Sequence, residues 1–197
     1  MARTQAADYD LRKLAIVEAA AALFAEKGFL GASLVDLAIS CSSSKSLIYH
    51  YYPSKEDILF DVMASHVEAL NDALDDVEGE GGDAAVKIRR LTHAFMRLYV
   101  GAAHRHKVLL NELDHLPPDR RAEIVSRRRR LILRVEAYLE DLQPKLRRAR
   151  RLARPATMLF FGMINWTHTW FDPNGKASAD EVADLCVDVL LGGLPSI

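Results

Sequence analysis

The chain has little cysteine and no long hydrophobic run. Cys41 and Cys186 are the two cysteines among its 197 residues, so a framework of several disulfide bonds is excluded and a reducing compartment is expected. No apolar segment approaches the roughly 18 residues that a membrane-spanning helix needs, and the N-terminal residues lack the apolar core of a signal peptide. We therefore expect a cytoplasmic globular protein without a membrane partner.

Signatures of common enzyme classes are also missing. The chain has no Gly-x-Ser-x-Gly elbow, no Gly-Lys-Ser/Thr phosphate loop and no dinucleotide fingerprint, and we interpret the Gly-rich residues 79–82 as a connector. His104 and His106 have the residue types of metal ligands, but their spacing of two places the rings on opposite faces of a helix. We expect no enzymatic activity, no cofactor and no metal. A helical enzyme or ligand-binding protein is the more distant alternative.

The chain shows no sustained period-two alternation, the pattern of a half-buried strand. Apolar residues instead recur at spacings of three and four, and Gly and Pro separate the periodic segments. This pattern predicts an all-α protein with about nine helices. The expected helical segments cover about residues 10–27, 34–40, 45–51, 54–78, 83–103, 104–116, 118–142, 158–171 and 178–191.

Three closely spaced helix starts stand out in residues 33–57. Ser33 precedes Asp36 by three residues and Ser54 precedes Asp57 by three, the spacing of a capping box. Ser44 opens a short segment that follows a turn of small polar residues. That segment carries side chains suited to phosphates and base edges, namely Lys45, Ser46, Tyr49, His50 and Tyr51. Two short helices joined by such a turn indicate a helix-turn-helix, and DNA binding is the leading hypothesis.

The charge distribution limits how such a motif can work. Residues 1–60 have a net charge of −1, residues 61–86 contain eight acidic residues and no Lys or Arg, and residues 87–154 contain nineteen Lys or Arg against seven acidic residues. A DNA-binding domain is expected to show a basic footprint, and the motif does not lie in the basic segment. The affinity for DNA must therefore come from a few well-positioned phosphate contacts in each subunit, and a dimer makes each of these contacts twice.

Several short motifs follow one another in a set order along residues 16–59. They are Ala19-Ala20 with Leu23-Phe24, Lys27-Gly28-Phe29, Ala32 to Ala38, Ser44 to Tyr52, and Ser54 to Asp57. This order resembles the N-terminal domain of TetR/AcrR family transcriptional regulators. Ser42 and Ser46 stand where that family commonly has glycine, and Tyr52 where it commonly has phenylalanine. A serine in a left-handed turn costs about 1 kcal/mol, so the turn is expected to differ slightly.

The resemblance implies a helix-turn-helix DNA-binding domain at residues 1–53 and a helical ligand-binding and dimerisation domain at 54–197. It implies a repressor that leaves its operator when a small-molecule effector binds. Ser33 and the amides after it would bind a DNA phosphate. The helix that begins after Ser44 would lie in the major groove and recognise bases through Lys45, Ser46 and Tyr49. Further phosphate contacts would come from His50, Tyr51 and Lys55. The alternative is that the serines only cap helices and the aromatic residues only pack.

Members of this family are usually homodimers joined by their last two helices. An apolar face suited to such an interface is formed here by Met158, Val182, Leu185, Cys186, Val189 and Leu190. A core helix would have the same pattern. Cys41 lies close to the predicted helix at residues 45–51. We interpret it as a small buried residue and not as a redox sensor, because no second cysteine is near it to form a disulfide.

Two features of the second domain bear on the effector. First, Asn165 and His168 interrupt an aromatic segment, where a polar group needs a hydrogen-bond partner or a ligand. Second, the four consecutive arginines at 127–130 spread over all faces of a helix, so at least one guanidinium must point towards the protein interior. The expected ligand-binding residues are Phe95, Arg97, Tyr99, Arg128, Phe161, Asn165, Trp166 and Thr169. The segment resembles family members that sense acyl-CoA thioesters of lipid or aromatic-acid breakdown. Alternatives are satisfied core residues, solvated arginines, and a multidrug-type repressor of cationic or aromatic compounds.

Overall fold

The computed structural model describes residues 2–193, with side chains for 8–149 and 151–193. This part of the chain contains ten α-helices, two short 3₁₀ turns and no strand, which confirms the all-α prediction. The helices are α1 (Ala2–Gly31), α2 (Leu34–Ser40), α3 (Lys45–Tyr51), α4 (Lys55–Gly79), α5 (Ala84–Gly101), α6 (Ala103–Asn111), α7 (Pro118–Leu142), α8 (Pro144–Arg148), α9 (Arg150–Asn165) and α10 (Ala179–Gly193). The 3₁₀ turns cover Leu113–His115 and Trp166–Thr169.

The chain divides into two compact units. The first comprises Met1–His66 and His104–Val125, and the second comprises Val67–Ala103 and Ser126–Ile197. Helices α1, α2 and α3 lie wholly in the first unit, while α5, α8, α9 and α10 lie in the second. A functional boundary at residues 53 and 54 stays a prediction.

The kink in α1 shows how the first unit is held together locally. Gly28 has φ 73° and ψ 160°, so the regular helix stops at the glycine that the sequence marked as a stop signal. The amide of Phe29 donates to Glu112 Oε2 at 3.1 Å. The ammonium of Lys55 donates to the carbonyl oxygens of Phe29 and Ala32, at 2.7 and 2.9 Å. These bonds satisfy backbone groups that the kink removes from the helix.

The turn between α2 and α3 contains a backbone conformation that disfavours serine. Ser42 has φ 48°, in the left-handed region, as the sequence comparison with glycine-containing turns predicted. Replacing Ser42 by glycine should raise the free energy of unfolding by up to about 1 kcal/mol, because relief of the left-handed strain exceeds the extra entropy of the unfolded chain. Urea denaturation measures this change. Ser40→Gly, in the last turn of α2, is the control and should lower stability.

The core of the second unit is formed by apolar faces of α4, α5, α7, α9 and α10. Its fully buried members include Phe95, Val135, Phe160 and Val187. One expectation about this unit was wrong: the aromatic segment 158–171 is not a single helix. The α-helix ends at Asn165 and a 3₁₀ turn follows. The predicted stop signal at Pro195 lies outside the described residues.

Candidate nucleic-acid interface and effector-binding helices

The caps of α2 and α3 have the geometry that the sequence predicted. Ser33 Oγ accepts from the amide of Asp36 at 3.1 Å, and the Asp36 carboxylate accepts from the amide of Ser33 at 3.1 Å. Hydrogen bonds from Ser33 and a nearby Lys27 ammonium lower the pKa of Asp36. Ser44 Oγ accepts from the amide of Leu47 at 3.1 Å. Both helix starts are therefore fixed by local side chains.

Helix α3 has one buried face and one exposed face. Ile48 is completely buried and Leu47 is half-buried, so the opposite face is open to solvent. That exposed face carries Lys45, Ser46, Tyr49 and His50. The ammonium of Lys45 lies 5.7 Å from the centre of the Tyr49 ring, which brings a cation and an aromatic hydroxyl onto one surface. The structure thus brings together four of the predicted contact residues.

Tyr51 and Lys55 are more confined than the residues of the exposed face. The half-buried Tyr51 ring packs against Tyr9 of α1, with 4.7 Å between ring centres. Lys55 uses two of its three donors on the carbonyl oxygens near the α1 kink and lies 4.1 Å from the centre of the Phe29 ring. One N–H of Lys55 is left for a phosphate. Ser54 Oγ accepts from the amide of Asp57 at 3.1 Å, beside the start of α4.

Three of the predicted ligand residues form one aromatic cluster in the second unit. Phe95 and Tyr99 of α5 are buried, and their ring centres are 6.1 Å apart. Phe161 of α9 stacks on Phe95 at 6.5 Å with an interplanar angle of 27°. A wall of stacked rings on two helices suits an apolar or aromatic ligand group.

Arg128 is the arginine of the 127–130 run whose environment differs from the rest. It is half-buried, and burial lowers the pKa of its guanidinium. Burial also raises the pKa of Tyr99, and the charge of Arg128 acts against that shift, so the two groups interact. Within the described residues no carboxylate pairs with Arg128. Other arginines of α7 do have acidic partners, namely Arg120, Arg121, Arg130 and Arg134.

The remaining predicted ligand residues are not gathered with Phe95. Arg97 is two-thirds exposed, and its Nε donates to Asp180 at 3.1 Å. Trp166 and Thr169 are exposed on the 3₁₀ turn, and the Thr169 hydroxyl donates to the Trp166 carbonyl at 2.8 Å. Asn165 is half-buried at the end of α9. Trp166 and Thr169 lie beyond the end of α9, so they do not continue the helical face on which the sequence pattern placed them.

Exposed apolar side chains lie on both α9 and α10, and we call them together the α9–α10 face. Leu159, Met158, Leu185 and Val189 are 71%, 48%, 64% and 56% exposed, respectively. Cys186 is half-buried beside them, and burial raises the pKa of its thiol. Val182 and Leu190, which the sequence assigned to an interface, lie in the core of the same unit instead. Leu159 was not predicted from the sequence, although its spacing of three from the exposed Gly162 places both residues on one face of α9.

A ladder of charged side chains joins α5 to α10. Arg89, His93 and Arg97 are spaced by four on α5, and three aspartates with the same spacing face them from α10: Asp180, Asp184 and Asp188. Arg89 bonds to Asp184 and Asp188 at 2.6 and 2.7 Å. His93 lies at the centre of this ladder, 3.0 Å from one carboxylate and 2.9 Å from the next.

The ladder predicts a pH dependence of stability. Burial lowers the pKa of His93, but hydrogen bonds with Asp180 and Asp184 outweigh burial, so its pKa is raised above 6.5. The stabilisation is fully present below pH 6.5 and is lost as the pH rises through the raised pKa. Urea unfolding across this range should show stability falling with pH in the wild type. His93→Gln should remove this part of the dependence, and an unchanged slope would contradict the assignment.

The described residues contain no group of three or more His, Cys, Asp or Glu side chains that could hold a metal ion. His106 faces His66 instead, with 3.2 Å between Nδ1 and Nε2, and both rings are buried. Burial lowers the pKa of His66 to about 4. In the same part of the chain, no helix is long and apolar enough to cross a membrane.

Comparison with known proteins gives a consistent result along the chain. The family model described as bacterial regulatory proteins of the tetR family matches residues 16–62. A second model, the tetracyclin repressor-like C-terminal domain, matches residues 81–194.

Solved structures and curated relatives agree with these matches. A TetR-family transcriptional regulator from Bordetella parapertussis 12822 is 37% identical, with a TM-score of 0.89 over 94% of this chain and 96% of that one. The transcriptional repressor KstR2 of Mycolicibacterium smegmatis is 23% identical over 93% of this chain and 90% of its own length. The structure of AibR in complex with isovaleryl coenzyme A and operator DNA is 24% identical, with a TM-score of 0.79 over 91% of this chain and 98% of that one.

The helix-turn-helix, together with the matched family models and relatives, defines the protein as a ligand-responsive DNA-binding transcriptional regulator. The chain belongs to the TetR family of bacterial regulatory proteins.

Proposed function

We propose that the protein is a homodimeric repressor that binds operator DNA through α3 and leaves it when an acyl-CoA thioester binds the second domain. The observation that supports DNA recognition is the exposed face of α3, where Lys45, Ser46 and Tyr49 share one side opposite the buried Ile48. Ser33, Ser44, His50, Tyr51 and Lys55 would position the helix by phosphate contacts. Residues 1–53 would form the DNA-binding domain and 54–197 the effector domain. The protein would act in the cytoplasm, without a catalytic role.

The dimer would form through the exposed face of α9 and α10. Large apolar side chains in contiguous exposed patches mark interaction sites, and Leu159, Leu185 and Val189 are more than half exposed. Two copies related by a two-fold axis would pack these faces against each other. A dimer would also strengthen DNA binding by the first sixty residues, whose net charge is −1, because each phosphate contact is then used twice.

The effector proposal rests on Arg128 and the aromatic cluster. A guanidinium withdrawn from water without a carboxylate is costly, and an anionic or carbonyl-bearing ligand would offset that cost. Phe95, Tyr99 and Phe161 supply the apolar wall for an acyl group. AibR, which shares this fold, is described with isovaleryl coenzyme A, and that description supports the thioester class.

Arg128→Met tests this proposal. If Arg128 binds the effector, isovaleryl-CoA should raise the melting temperature of the wild type and leave that of the variant unchanged. The ligand-free variant should be as stable as the wild type or more stable, because a methionine replaces an unpaired charge with an apolar group of similar length. Thermal shift with acyl-CoA esters, free acids and cationic dyes measures both effects.

Arg129→Met is the matched control, since Arg129 is exposed on the same helix, and it should keep the response. A wild-type protein that responds to none of the thioesters contradicts the effector class. A response to cationic dyes instead supports the multidrug alternative. Ligand responses that are equal in the Arg128 variant and the wild type remove Arg128 from the site.

A further inference from the structure

A small open cavity lies in the first unit, where α1 meets the turn before α3. Its volume is about 250 Å³. We call it the α1–turn notch, and its polar lining comes from three parts of the chain: Arg12 of α1, Ser42 and Ser43 of the turn, and Tyr51 of α3. Ile16 and Leu47 contribute apolar lining. The notch therefore adjoins α3, but none of the residues on the exposed face of α3 lines it.

The lining of the notch is rich in hydrogen-bond donors and contains no acidic residue among those described. The residues that line it carry one guanidinium and three hydroxyl groups, and such groups together bind phosphate oxygens well. The Ser43 hydroxyl is buried and has no hydrogen-bond partner within the described residues. Ser43 is itself one of the residues that line the notch. An unsatisfied buried hydroxyl is a reason to look for a ligand at this place.

Arg12 is available because its present interaction is weak. Its Nε lies 3.2 Å from the carboxylate of Asp8, one turn earlier on α1, and the two side chains are 55% and 63% exposed. Exposed pairs of this kind contribute little to stability. A phosphate can therefore replace Asp8 as the partner of the guanidinium, and the planar guanidinium matches two phosphate oxygens.

We propose that the α1–turn notch binds one backbone phosphate of the operator, with Arg12 as its cation and the hydroxyls of Ser43 and Tyr51 as further donors. This inference rests on the proposed DNA-binding function and adds a residue that no sequence motif indicated. Tyr51 is already a predicted phosphate contact, and the notch shows which charged group would share that phosphate. A contact to a phosphate by Arg12 also helps explain how residues 1–60, with a net charge of −1, hold DNA.

The test measures how DNA affinity depends on salt. A labelled duplex selected by the wild-type protein from a randomised library, and a second duplex of unrelated sequence, are titrated by fluorescence anisotropy. Arg12→Gln should weaken binding to both duplexes by a similar factor, about tenfold at low salt, and reduce the slope of log affinity against log salt by about 1 per subunit. Arg12→Lys should keep the slope, because the charge remains. Ser43→Ala should weaken binding without changing the slope.

Asp8→Asn is the matched control. It breaks the same ion pair as Arg12→Gln but leaves the guanidinium in place, so binding should be equal to the wild type or tighter. If Asp8→Asn weakens binding as much as Arg12→Gln, the pair only stabilises α1 and the proposal fails. It also fails if Arg12→Gln keeps the wild-type affinity and slope, or if inorganic phosphate binds the notch with no effect of Arg12→Gln on DNA. A wild-type protein that binds neither duplex overturns the proposed function and this inference with it.

Discussion

Lys45→Ala should weaken operator binding by at least roughly thirty-fold. One well-placed contact to a base edge contributes about 1–3 kcal/mol to discrimination, and a dimer loses that contact twice. Lys45 is exposed, makes no ion pair among the described residues, and lies over the ring of Tyr49. It therefore has the reach and the freedom to contact a base. The measurement is a titration of the wild type and the variant on a selected duplex and on its single-position variants.

The same titration distinguishes contacts to bases from contacts to phosphates. Loss of a base contact relaxes preference at one position in each half-site, whereas loss of a phosphate contact weakens all sequences alike. Lys107→Ala, at an exposed position of α6 in the same unit, is the matched control and should bind as the wild type does. Unchanged affinity and unchanged preference in Lys45→Ala would remove this residue from the reading face.

Leu185→Asp should convert the dimer to a monomer and reduce operator affinity by about 10²–10⁴-fold. A charge placed in the centre of an apolar interface must be desolvated without a partner. The loss of dimerisation then removes the gain from binding two half-sites together. Because Leu185 is 64% exposed within one chain, the monomer itself should fold normally. Analytical ultracentrifugation gives the oligomeric state, and circular dichroism checks the helix content.

Leu133→Asp provides the comparison for this prediction. Leu133 is 46% exposed on α7, outside the face formed by α9 and α10, so its substitution by the same residue should leave the dimer intact. If Leu185→Asp remains dimeric with wild-type operator affinity, the α9–α10 face does not form the dimer. If both variants dissociate, the interface includes α7.

The predictions from the sequence were most accurate for features that depend only on residues close together in the chain. Ser33 and Ser44 fix the starts of α2 and α3 through hydrogen bonds to amides three residues later, so the pattern alone places both helices. The left-handed conformation of Ser42 also follows from the turn itself. Such features need only a few neighbouring residues, and they define the candidate DNA-binding face.

The effector domain was harder to predict because its features depend on packing between helices. Four consecutive arginines guarantee that one turns inwards, but the neighbouring helix decides that it is Arg128 that approaches Tyr99. Arg97 was expected at the ligand and is instead paired with Asp180, a residue 83 positions away. Val182 and Leu185 belong to the same periodic pattern on α10, yet one lies in the core and the other in solvent. Periodicity identifies an apolar face without saying what covers it.

A dimer of this chain is expected to recognise its DNA sequence through α3. Selection of duplexes from a randomised library by the purified protein, followed by sequencing, tests it most directly. We expect enrichment of a two-fold symmetric site whose half-sites are about 34–36 Å apart, or a multiple of that distance, and we expect Lys45→Ala to select a site in which one position of each half-site is no longer specified. Enrichment of no sequence, or of a site that Lys45→Ala selects equally well, would contradict it.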